Sequence, residues 1–568
     1  MRSRITQDAA CWVIGLLALI FLVVMHLALP NTGGSGADLP QALLVWTTLL
    51  VLITGGAWIL CHQRLQLTLC ARLLAIAAVL LTLPLLWSPH PDWQLDALPR
   101  LAGLWAGLGF YLLLINCHFT DRQKQVMLWL IVTAALIQTV WSLAGMWCPS
   151  LLPEVAQNAL RLNPGIGVGV FQQRNVTASF IATGAALLLW LLADSQYRLA
   201  NPVRERLRQG AISAAIVVLY MTLTLIASRT GWLGGLLIWL WFTVVYWRKE
   251  SSEEISSRGW VRLAPALGIG LGALLLKSGL LEALNAHDTS TADRIFILQQ
   301  TWQMIKEHPL TGWGYGGFTW SFAHFLADRP VPLSRGMNAL THPHNELLFW
   351  WVEGGIVALA GTVLAMIAGG VLLLRQPRRY TLAVLGCLLP VLLHTQLEYP
   401  LYQSPVHWLL VMLLLSFADT PAADPSASRS VFKTSRFRLL PTLMAALACS
   451  GALLVAVTFW QGRYLTKFQA SPEDYAGRVL TLTETGIGTE RLRKDQVLSY
   501  IVRYQKSGNV EDLQQFSTLA RRWLTTWTDA DIYHNLINVE HYLGNEKLAL
   551  QVADEAHRLY PEDPRFVL

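Results

Sequence analysis

The stretch Thr341-His342-Pro343-His344-Asn345-Glu346 stands where the longest polar loop of this 568-residue sequence ends and an apolar run, 347–374, begins. About 20 apolar residues suffice to cross a bilayer, so this run can span one. Two histidines and a carboxylate at such a boundary are unusual, because ionisable groups near the bilayer are costly and need partners or water. The sequence therefore predicts a membrane protein whose chemistry is centred on His344.

The composition agrees with a membrane protein. The chain is 54% hydrophobic and 14% charged, whereas soluble proteins are about 25% charged. Its net charge of +7 does not indicate nucleic-acid binding, since the Lys and Arg residues lie between apolar runs, a pattern typical of membrane orientation. The seven cysteines lie mostly inside apolar runs without a CxxC pair, so they predict neither a disulfide framework nor a zinc site.

Apolar periodicity predicts an all-α polytopic membrane protein with about 12–13 transmembrane helices. The candidate spans are 11–29, 42–60, 69–87, 101–117, 126–147, 176–193, 211–227, 231–247, 260–281, 346–374, 380–394, 405–417 and 439–460. Two of them are marginal, because 231–247 follows its neighbour after only three residues and 405–417 is short.

The distribution of Lys and Arg predicts the orientation. With the N-terminus in the cytoplasm, alternate loops carry twenty basic residues: Arg2, Arg4, Arg64, Arg122, Lys124, Arg198, Arg204, Arg206, Arg208, Arg248, Lys249, Arg258, Arg262, Arg375, Arg378, Arg379, Arg429, Lys433, Arg436 and Arg438. The short loops of the other side carry four, Arg100, Arg161, Arg174 and Arg229. This pattern predicts a bacterial inner-membrane protein with the loop 282–345 and the tail 461–568 in the periplasm.

The tail is predicted to be a separate helical domain. Its pattern of Tyr533, Leu536, Gly544, Ala549, Ala556 and Pro561 resembles one tetratricopeptide repeat. One repeat cannot bury its face alone, so we expect helices of 472–528 to stack on it. A generic helical hairpin is the alternative, and either structure would offer a platform for a partner.

Four groups of polar residues lie at the outer interface in this topology. They are Phe171-Gln172-Gln173-Arg174-Asn175, Ser228-Arg229-Thr230-Gly231, Asp293-Arg294, and the His344 segment with the later loop His394-Thr395-Gln396-Leu397-Glu398-Tyr399-Pro400. Because they share one side of the membrane, we expect them to converge on one site.

Each candidate residue has a structural alternative. Arg229 could snorkel to phosphate head groups, and Arg294 could lie on the polar face of an interfacial helix. Gln172, Gln173 and Asn175 could form a helix N-terminal cap and helix–helix hydrogen bonds. His342 is predicted to support the loop, a role also open to His344, and Tyr399 could anchor an aromatic belt.

The shared chemistry of these groups points to a diphosphate. Two arginines at a bilayer surface, without obvious carboxylate partners in the sequence, suit a phosphate or diphosphate, which guanidinium groups bind bidentately. A histidine beside them can remove a proton from a hydroxyl near neutral pH. Together they fit transfer of a group from a membrane-embedded diphosphate to an alcohol. No clustered carboxylates indicate a metal, so neither a metal nor another cofactor is predicted.

His344-Asn345, with Gly355 in the following span, resembles the family of O-antigen ligases, O-antigen polymerases and bacterial protein O-oligosaccharyltransferases. Ser228-Arg229-Thr230-Gly231 and Asp293-Arg294, the latter followed by 308–316, resemble the arginine motifs of that family. The resemblance covers roughly residues 160–420. It implies a GT-C-like membrane glycosyltransferase with an undecaprenyl-diphosphate-linked glycan as donor and no metal.

Within the family, 171–175 resembles the Gln-Gln-x-Asn signature of the protein O-oligosaccharyltransferases of the PglL type, and Glu398-Tyr399-Pro400 and the helical tail also resemble that branch. This resemblance implies inverting transfer of the glycan onto Ser or Thr of a periplasmic, pilin-like protein. His344 would activate the acceptor hydroxyl, and Arg229 and Arg294 would hold the donor diphosphate. Gln172, Gln173, Asn175 and Tyr399 would position the glycan or the acceptor.

The domains expected on this basis are N-terminal transmembrane helices (1–160), a catalytic core (161–420, including the loop 282–345), a cytoplasmic linker with the last span (421–460), and the periplasmic domain (461–568). Two related activities remain open, ligation of O-antigen to lipid A-core and polymerisation of the glycan. A transporter or assembly scaffold is the non-enzymatic alternative, although the clustering of polar residues at one interface favours an enzyme.

Overall fold

The computed structural model describes residues 4–30, 36–61, 65–161, 167–246, 255–276, 288–329, 337–375, 378–419 and 439–566. Within these ranges the secondary structure is helical, without strands. The α-helices, numbered in chain order, are α1 (Arg4–Leu22), α2 (Pro40–Ile59), α3 (Leu69–Thr82), α4 (Pro91–Asn116), α5 (Asp121–Trp147), α6 (Glu154–Arg161), α7 (Arg174–Ala193), α8 (Pro202–Leu225), α9 (Arg229–Leu240), α10 (Ile255–Leu276), α11 (Asp288–Glu307), α12 (Phe318–Ala327), α13 (Glu346–Arg375), α14 (Arg378–Leu397), α15 (Pro400–Gln403), α16 (Pro405–Ala418), α17 (Leu439–Ala470), α18 (Pro472–Val479), α19 (Thr489–Ser507), α20 (Val510–Leu524), α21 (Ala530–Tyr542) and α22 (Glu546–Leu559).

The predicted all-α polytopic fold is confirmed. By length and composition, 11 helices of the described residues could cross a membrane. Two further apolar helices, Arg229–Val245 and Pro405–Ala418, are shorter. They correspond to the two predicted spans that were marginal, so each of the thirteen predicted spans coincides with an apolar helix.

Part of the sequence used to predict orientation lies outside the described residues. This part includes Arg2, Arg64, Arg248, Lys249, Arg429, Lys433, Arg436 and Arg438, the segments 282–287 and 330–336 of the long loop, and 420–438 of the linker.

Helix α7 lies at the centre of the bundle. All of its residues from Val176 to Ala193 are buried, and it packs against α5, α8, α9 and α14. A helix that is apolar on every side is stable only inside other elements. Its N-terminus, which carries Gln173 and Asn175, is thereby fixed relative to its neighbours.

Helix α13 is broken at Gly355, which has φ 65° and ψ −159°. The segment 310–316 fills the break, because the backbone N–H groups of Trp313 and Gly314 donate to the carbonyls of Val352 (2.8 Å) and Glu353 (3.0 Å). The N–H of Ile356 donates in turn to the carbonyl of Leu310 (3.2 Å). Interrupted helices persist in membranes only where other protein groups satisfy the freed backbone groups. The break is therefore a built part of the fold.

A buried ion pair joins α4 to α13 beside this break. Nη2 of Arg100 lies 2.5 Å from Oε2 of Glu353, and both side chains are at most one-tenth exposed. The guanidinium also lies 4.6 Å from the ring centroids of Phe349 and Trp350. The expectation that Arg100 occupies a short loop is therefore wrong: it lies inside α4, where Glu353 neutralises its charge.

The C-terminal helices pack against one end of the bundle. Helices α21 and α22 form a hairpin that turns at Gly544 (φ 79°), and Tyr533, Leu536, Ala549 and Ala556 are buried in it. These four residues belong to the pattern that resembles a tetratricopeptide repeat. Other residues attach this region to α4 and α12: Arg522 to Asp92 (2.5 Å), Trp93 Nε1 to the carbonyl of Thr525 (2.8 Å), and Trp320 Nε1 to the carbonyl of Leu524 (2.9 Å).

Candidate active site

Glu398, the residue after α14, is the hub of a buried polar cluster. The residue is 3% exposed, and its carboxylate accepts hydrogen bonds from four side chains on three helices and one cap. Oε1 accepts from Arg294 and from Nδ2 of Asn175 (2.6 Å), and Oε2 accepts from Nε2 of Gln173 (3.1 Å) and Nε2 of His394 (3.1 Å). The cluster brings together residues that are more than two hundred positions apart in the sequence.

The charges around Glu398 keep it ionised. Burial acts to raise the pKa of Glu398, but the hydrogen bond from His394 and the charge of Arg294 outweigh it and lower the pKa to about 2. An ionised carboxylate is an acceptor only. All four partners must therefore present N–H donors to it.

Two helix N-termini are tied to each other through this cluster. Gln173 caps α7, because its Oε1 accepts the backbone N–H of Val176 (2.6 Å). Ser228 caps α9 and donates its hydroxyl to Oδ1 of Asn175 (2.6 Å). The structural alternative for Gln173 and Asn175, a cap and helix–helix hydrogen bonds, is thus present. Gln172 stands just before the cap in a left-handed backbone conformation (φ 55°).

The two candidate arginines meet at the N-terminal part of α11: Arg294 lies in the second turn of that helix, and Arg229, the first residue of α9, reaches its first turn. Arg294 pairs with Glu398 and keeps about a third of its side chain exposed. The expectation that Arg294 lacks a carboxylate partner is therefore wrong; the partner is a hundred residues away in the sequence and comes close only in the fold. Arg229 donates to Oγ1 of Thr291, three residues before Arg294 on the same helix. Residues three apart on a helix are neighbours, so the two guanidinium groups share one surface.

His344 is held in a left-handed conformation (φ 60°) immediately before α13. Its backbone N–H donates to Nδ1 of His342 (3.0 Å), and its own Nδ1 is buried without a hydrogen-bond partner among the described residues. Burial lowers the pKa of His344 to about 4; the charges of Arg294 and His342 act in the same direction, whereas Glu398 opposes them. His344 is therefore neutral near pH 7, the form that can accept a proton.

His342 supports the loop, as predicted. The residue is 3% exposed, and its ring stacks on Tyr399 with centroids 4.6 Å apart and an interplanar angle of 29°. It also lies 4.2 Å from the ring of Phe349. Tyr399 in turn lies 5.4 Å from the ring of His344. The structure thus places Tyr399 beside both histidines.

Glu398 and His394 belong to one of the four groups expected to converge, but the sequence assigned them no role, and the structure places them at the centre of the cluster. The sequence contained a signal for them, since His394 and Glu398 are four residues apart and so share one helix face. His394 lies inside α14 rather than in the predicted loop, because that helix continues to Leu397. Among the described residues, no three His, Cys, Asp or Glu side chains are grouped as a metal site would require.

Three protein-family models match parts of this chain. The O-antigen ligase family model matches residues 213–363, which include Arg229, Arg294 and His344. The model described as protein glycosylation ligase matches 168–192. A third, described as the C-terminal part of a virulence factor membrane-bound polymerase, matches 382–567.

One similar protein is a general O-oligosaccharyltransferase from Acinetobacter baylyi. It is 24% identical over 283 residues, and the alignment covers 45% of this chain and 45% of that protein. The match therefore spans less than half the length of this relative.

The fold and the site define a polytopic membrane protein with a charged cluster at its helix ends. In residues 213–363 the chain is similar to the O-antigen ligase family, and in residues 168–192 to protein glycosylation ligases, so these parts of the chain resemble membrane glycosyltransferases.

Proposed function

We propose that the protein transfers a glycan from an undecaprenyl-diphosphate-linked donor to Ser or Thr hydroxyls of a periplasmic, pilin-like protein. The observation that carries this proposal is the cluster at Glu398, where Arg294 stands beside a neutral His344. The likeness to protein glycosylation ligases at 168–192 and to a general O-oligosaccharyltransferase supports a protein acceptor. In this proposal the site faces the periplasm, and the C-terminal helices, 461–568, lie on the same side.

The arginines would hold the diphosphate of the donor. A guanidinium group has five N–H donors in a planar fork, and Arg294 uses Nη2 on Glu398. Its other donors, and the guanidinium of Arg229 on the same surface, suit phosphate oxygens. Charge that develops on the departing diphosphate would be stabilised by these groups.

His344 would act as the general base. The acceptor hydroxyl oxygen attacks the anomeric carbon of the glycan, while the bond from that carbon to the diphosphate oxygen breaks. The hydroxyl proton passes to His344, and the electron pair leaves on the lipid diphosphate. A single displacement inverts the anomeric configuration and requires no enzyme nucleophile. Gln172, Gln173, Asn175 and Tyr399 would shape the space for glycan and acceptor.

The test is glycan transfer in a glycosylation-deficient bacterium that supplies a lipid-linked glycan, a pilin-type acceptor and a lipid A-core acceptor. Wild type is compared with His344→Ala and Arg294→Gln. Two matched controls come from the C-terminal helices, His541→Ala and Arg503→Gln, whose side chains pair with Glu546 and Asp512 far from the site in sequence.

We expect wild type and both controls to increase the mass of the pilin, and both site variants to leave it unchanged at equal expression. A ladder on lipid A-core with an unmodified pilin would instead identify a ligase. Longer lipid-linked glycan without either product would identify a polymerase. A site variant that transfers at the wild-type rate would refute the assigned roles.

A further inference from the structure

A buried hydrogen-bonded chain continues from Glu398 into the interior of the bundle. His394 lies 3.1 Å from Glu398 through Nε2, and its Nδ1 lies 2.9 Å from Oγ of Ser179. The same Oγ lies 2.9 Å from Nε2 of His407. His394 and His407 are 0% exposed and Ser179 is 1% exposed. The chain therefore links α14, α7 and α16 without contact with solvent.

The chemistry of Glu398 fixes the direction of the first hydrogen bond. Its carboxylate only accepts, so Nε2 of His394 must carry the proton that faces it. In a neutral imidazole the other nitrogen, Nδ1, is then an acceptor, and the nearest hydroxyl is that of Ser179. With its proton on Nδ1 of His394, Ser179 can accept in turn from Nε2 of His407. Every donor then points toward Glu398.

The hydroxyl of Ser179 has one competing acceptor, the carbonyl of Val176, at 3.1 Å. A serine hydroxyl has a single proton, so it serves one of these acceptors well at a time. The backbone carbonyl of a helix already accepts a bond within the helix, whereas Nδ1 of a buried histidine would be left unsatisfied. The hydroxyl of Ser179 therefore donates to Nδ1 of His394, because this avoids the larger free-energy cost of an unsatisfied buried acceptor.

We propose that Ser179, with His407 behind it, satisfies Nδ1 of His394 and so fixes the orientation of the His394 ring, which in turn holds Glu398 where it presents Arg294 to the donor diphosphate. Ser179, His394 and His407 are positioning residues in this inference, which rests on the proposed function. Without the hydroxyl, Nδ1 of His394 loses its hydrogen-bond donor, and the ring loses the contact that aligns Nε2 with the carboxylate. The hydrogen bond from Nε2 to Glu398 would then weaken, and the arrangement of Glu398 with Arg294, Gln173 and Asn175 would loosen.

The test uses the purified full-length protein in lipid nanodiscs and the variant Ser179→Ala. The control is Thr183→Val, which removes a hydroxyl one turn further along α7. Thr183 is equally buried, and its hydroxyl bonds to a backbone carbonyl, that of Ser179 (3.0 Å). Two quantities are measured: the affinity for farnesyl diphosphate as a probe of the diphosphate site, and the KM and kcat for the lipid-linked donor.

We expect Ser179→Ala to weaken farnesyl diphosphate binding and to raise the donor KM by about fivefold, the effect of losing one hydrogen bond. The kcat and the unfolding temperature should stay within about twofold and a few degrees of wild type. In a Glu398→Gln background, Ser179→Ala should have no further effect, because coupled residues are not additive. The inference would be overturned if Ser179→Ala left the farnesyl diphosphate affinity and the donor KM unchanged. It would also be overturned if Ser179→Ala weakened binding in the Glu398→Gln background as much as it does in wild type.

Failure of the proposed function gives a different result. If wild type binds no farnesyl diphosphate and transfers no glycan, the assignment of a diphosphate site is wrong for every variant alike. If wild type binds and transfers while Ser179→Ala matches it, only the positioning role is refuted.

Discussion

The backbone N–H of His344 donates to Nδ1 of His342 at 3.0 Å. The buried His342 thus fixes the end of the loop that carries the proposed base, and it does so through the main chain. Because Nδ1 accepts, the proton of a neutral His342 lies on Nε2, which faces Glu346 at 3.7 Å. At that distance the two atoms form no hydrogen bond, so the imidazole is bonded to the loop and only lies beside the first turn of α13.

Replacing His342 by Phe should lower transfer by about tenfold, chiefly through kcat. The aromatic ring keeps the contact with Tyr399, but the N–H of His344 loses its acceptor, and an unsatisfied buried donor costs about 1–3 kcal/mol. Steady-state kinetics with the lipid-linked donor provide the measurement. His541→Phe, at an exposed histidine of α21, is the control. An unchanged kcat in His342→Phe would mean that the loop is held by other contacts.

Transfer should lose activity only at low pH. Since burial lowers the pKa of His344 to about 4, the imidazole stays neutral from about pH 8 down to about pH 5, and kcat/KM should be flat there. It should fall as the pH approaches 4. Glu398 does not titrate in this range, because its pKa is about 2.

On acidification, kcat should begin to fall at a higher pH than kcat/KM does. The reason is that the negative charge of a bound diphosphate stabilises the imidazolium of His344 and so raises its pKa in the donor complex. The unfolding temperature, measured at each pH, separates titration from acid unfolding. A kcat/KM limit near pH 6.5, the ordinary value for histidine, would contradict the buried setting of His344.

Breaking the buried pair between Arg100 and Glu353 should destabilise the protein strongly. Arg100→Met leaves a carboxylate buried without its partner, a change that costs about 3–5 kcal/mol. Adding Glu353→Gln removes the uncompensated charge and keeps an oxygen for the backbone N–H of Phe318, which now lies 3.2 Å from Oε1. The double variant should therefore recover much of the unfolding temperature. Equal loss in the single and double variants would exclude charge burial as the cause.

Gly355→Ala should disrupt the break in α13. The position has φ 65°, and an added Cβ would lie 2.1 Å from the carbonyl oxygen of Leu310, so 310–316 would be displaced. We expect a loss of folded protein or a fall of several degrees in unfolding temperature. Gly369→Ala in the same helix is the matched control, since a Cβ there meets nothing within 4 Å. Similar unfolding temperatures for both variants would contradict the packing described for 310–316.

The sequence predicted the helices well because the physics of bilayer insertion acts on local composition. Each apolar run is long enough to satisfy its own backbone, so spans can be recognised without tertiary information. The exceptions are places where a distant segment completes a helix. The break at Gly355 depends on 310–316, and Arg100 is stable inside α4 because Glu353 neutralises it.

Local composition also explains which residues of the site could be chosen from the sequence. Gln173, Asn175, Arg229, Arg294 and His344 could be chosen because polar residues at helix ends stand out against apolar runs. Glu398 was not recognised as their common partner, because the ion pair with Arg294 joins residues a hundred positions apart. A contact between residues so far apart in the sequence is set by the tertiary fold, which local sequence patterns do not encode.

The four hydrogen bonds that the carboxylate of Glu398 accepts have a consequence for the anions that this site can attract. Before a donor arrives, the charge of Arg294 is already balanced within the protein, so dilute chloride, sulfate or free phosphate meets little net attraction there. A lipid-anchored diphosphate is confined to the same bilayer and thus has a high effective concentration at the site. For a donor of the proposed class, this internal counter-ion would favour tethered anions over soluble ones.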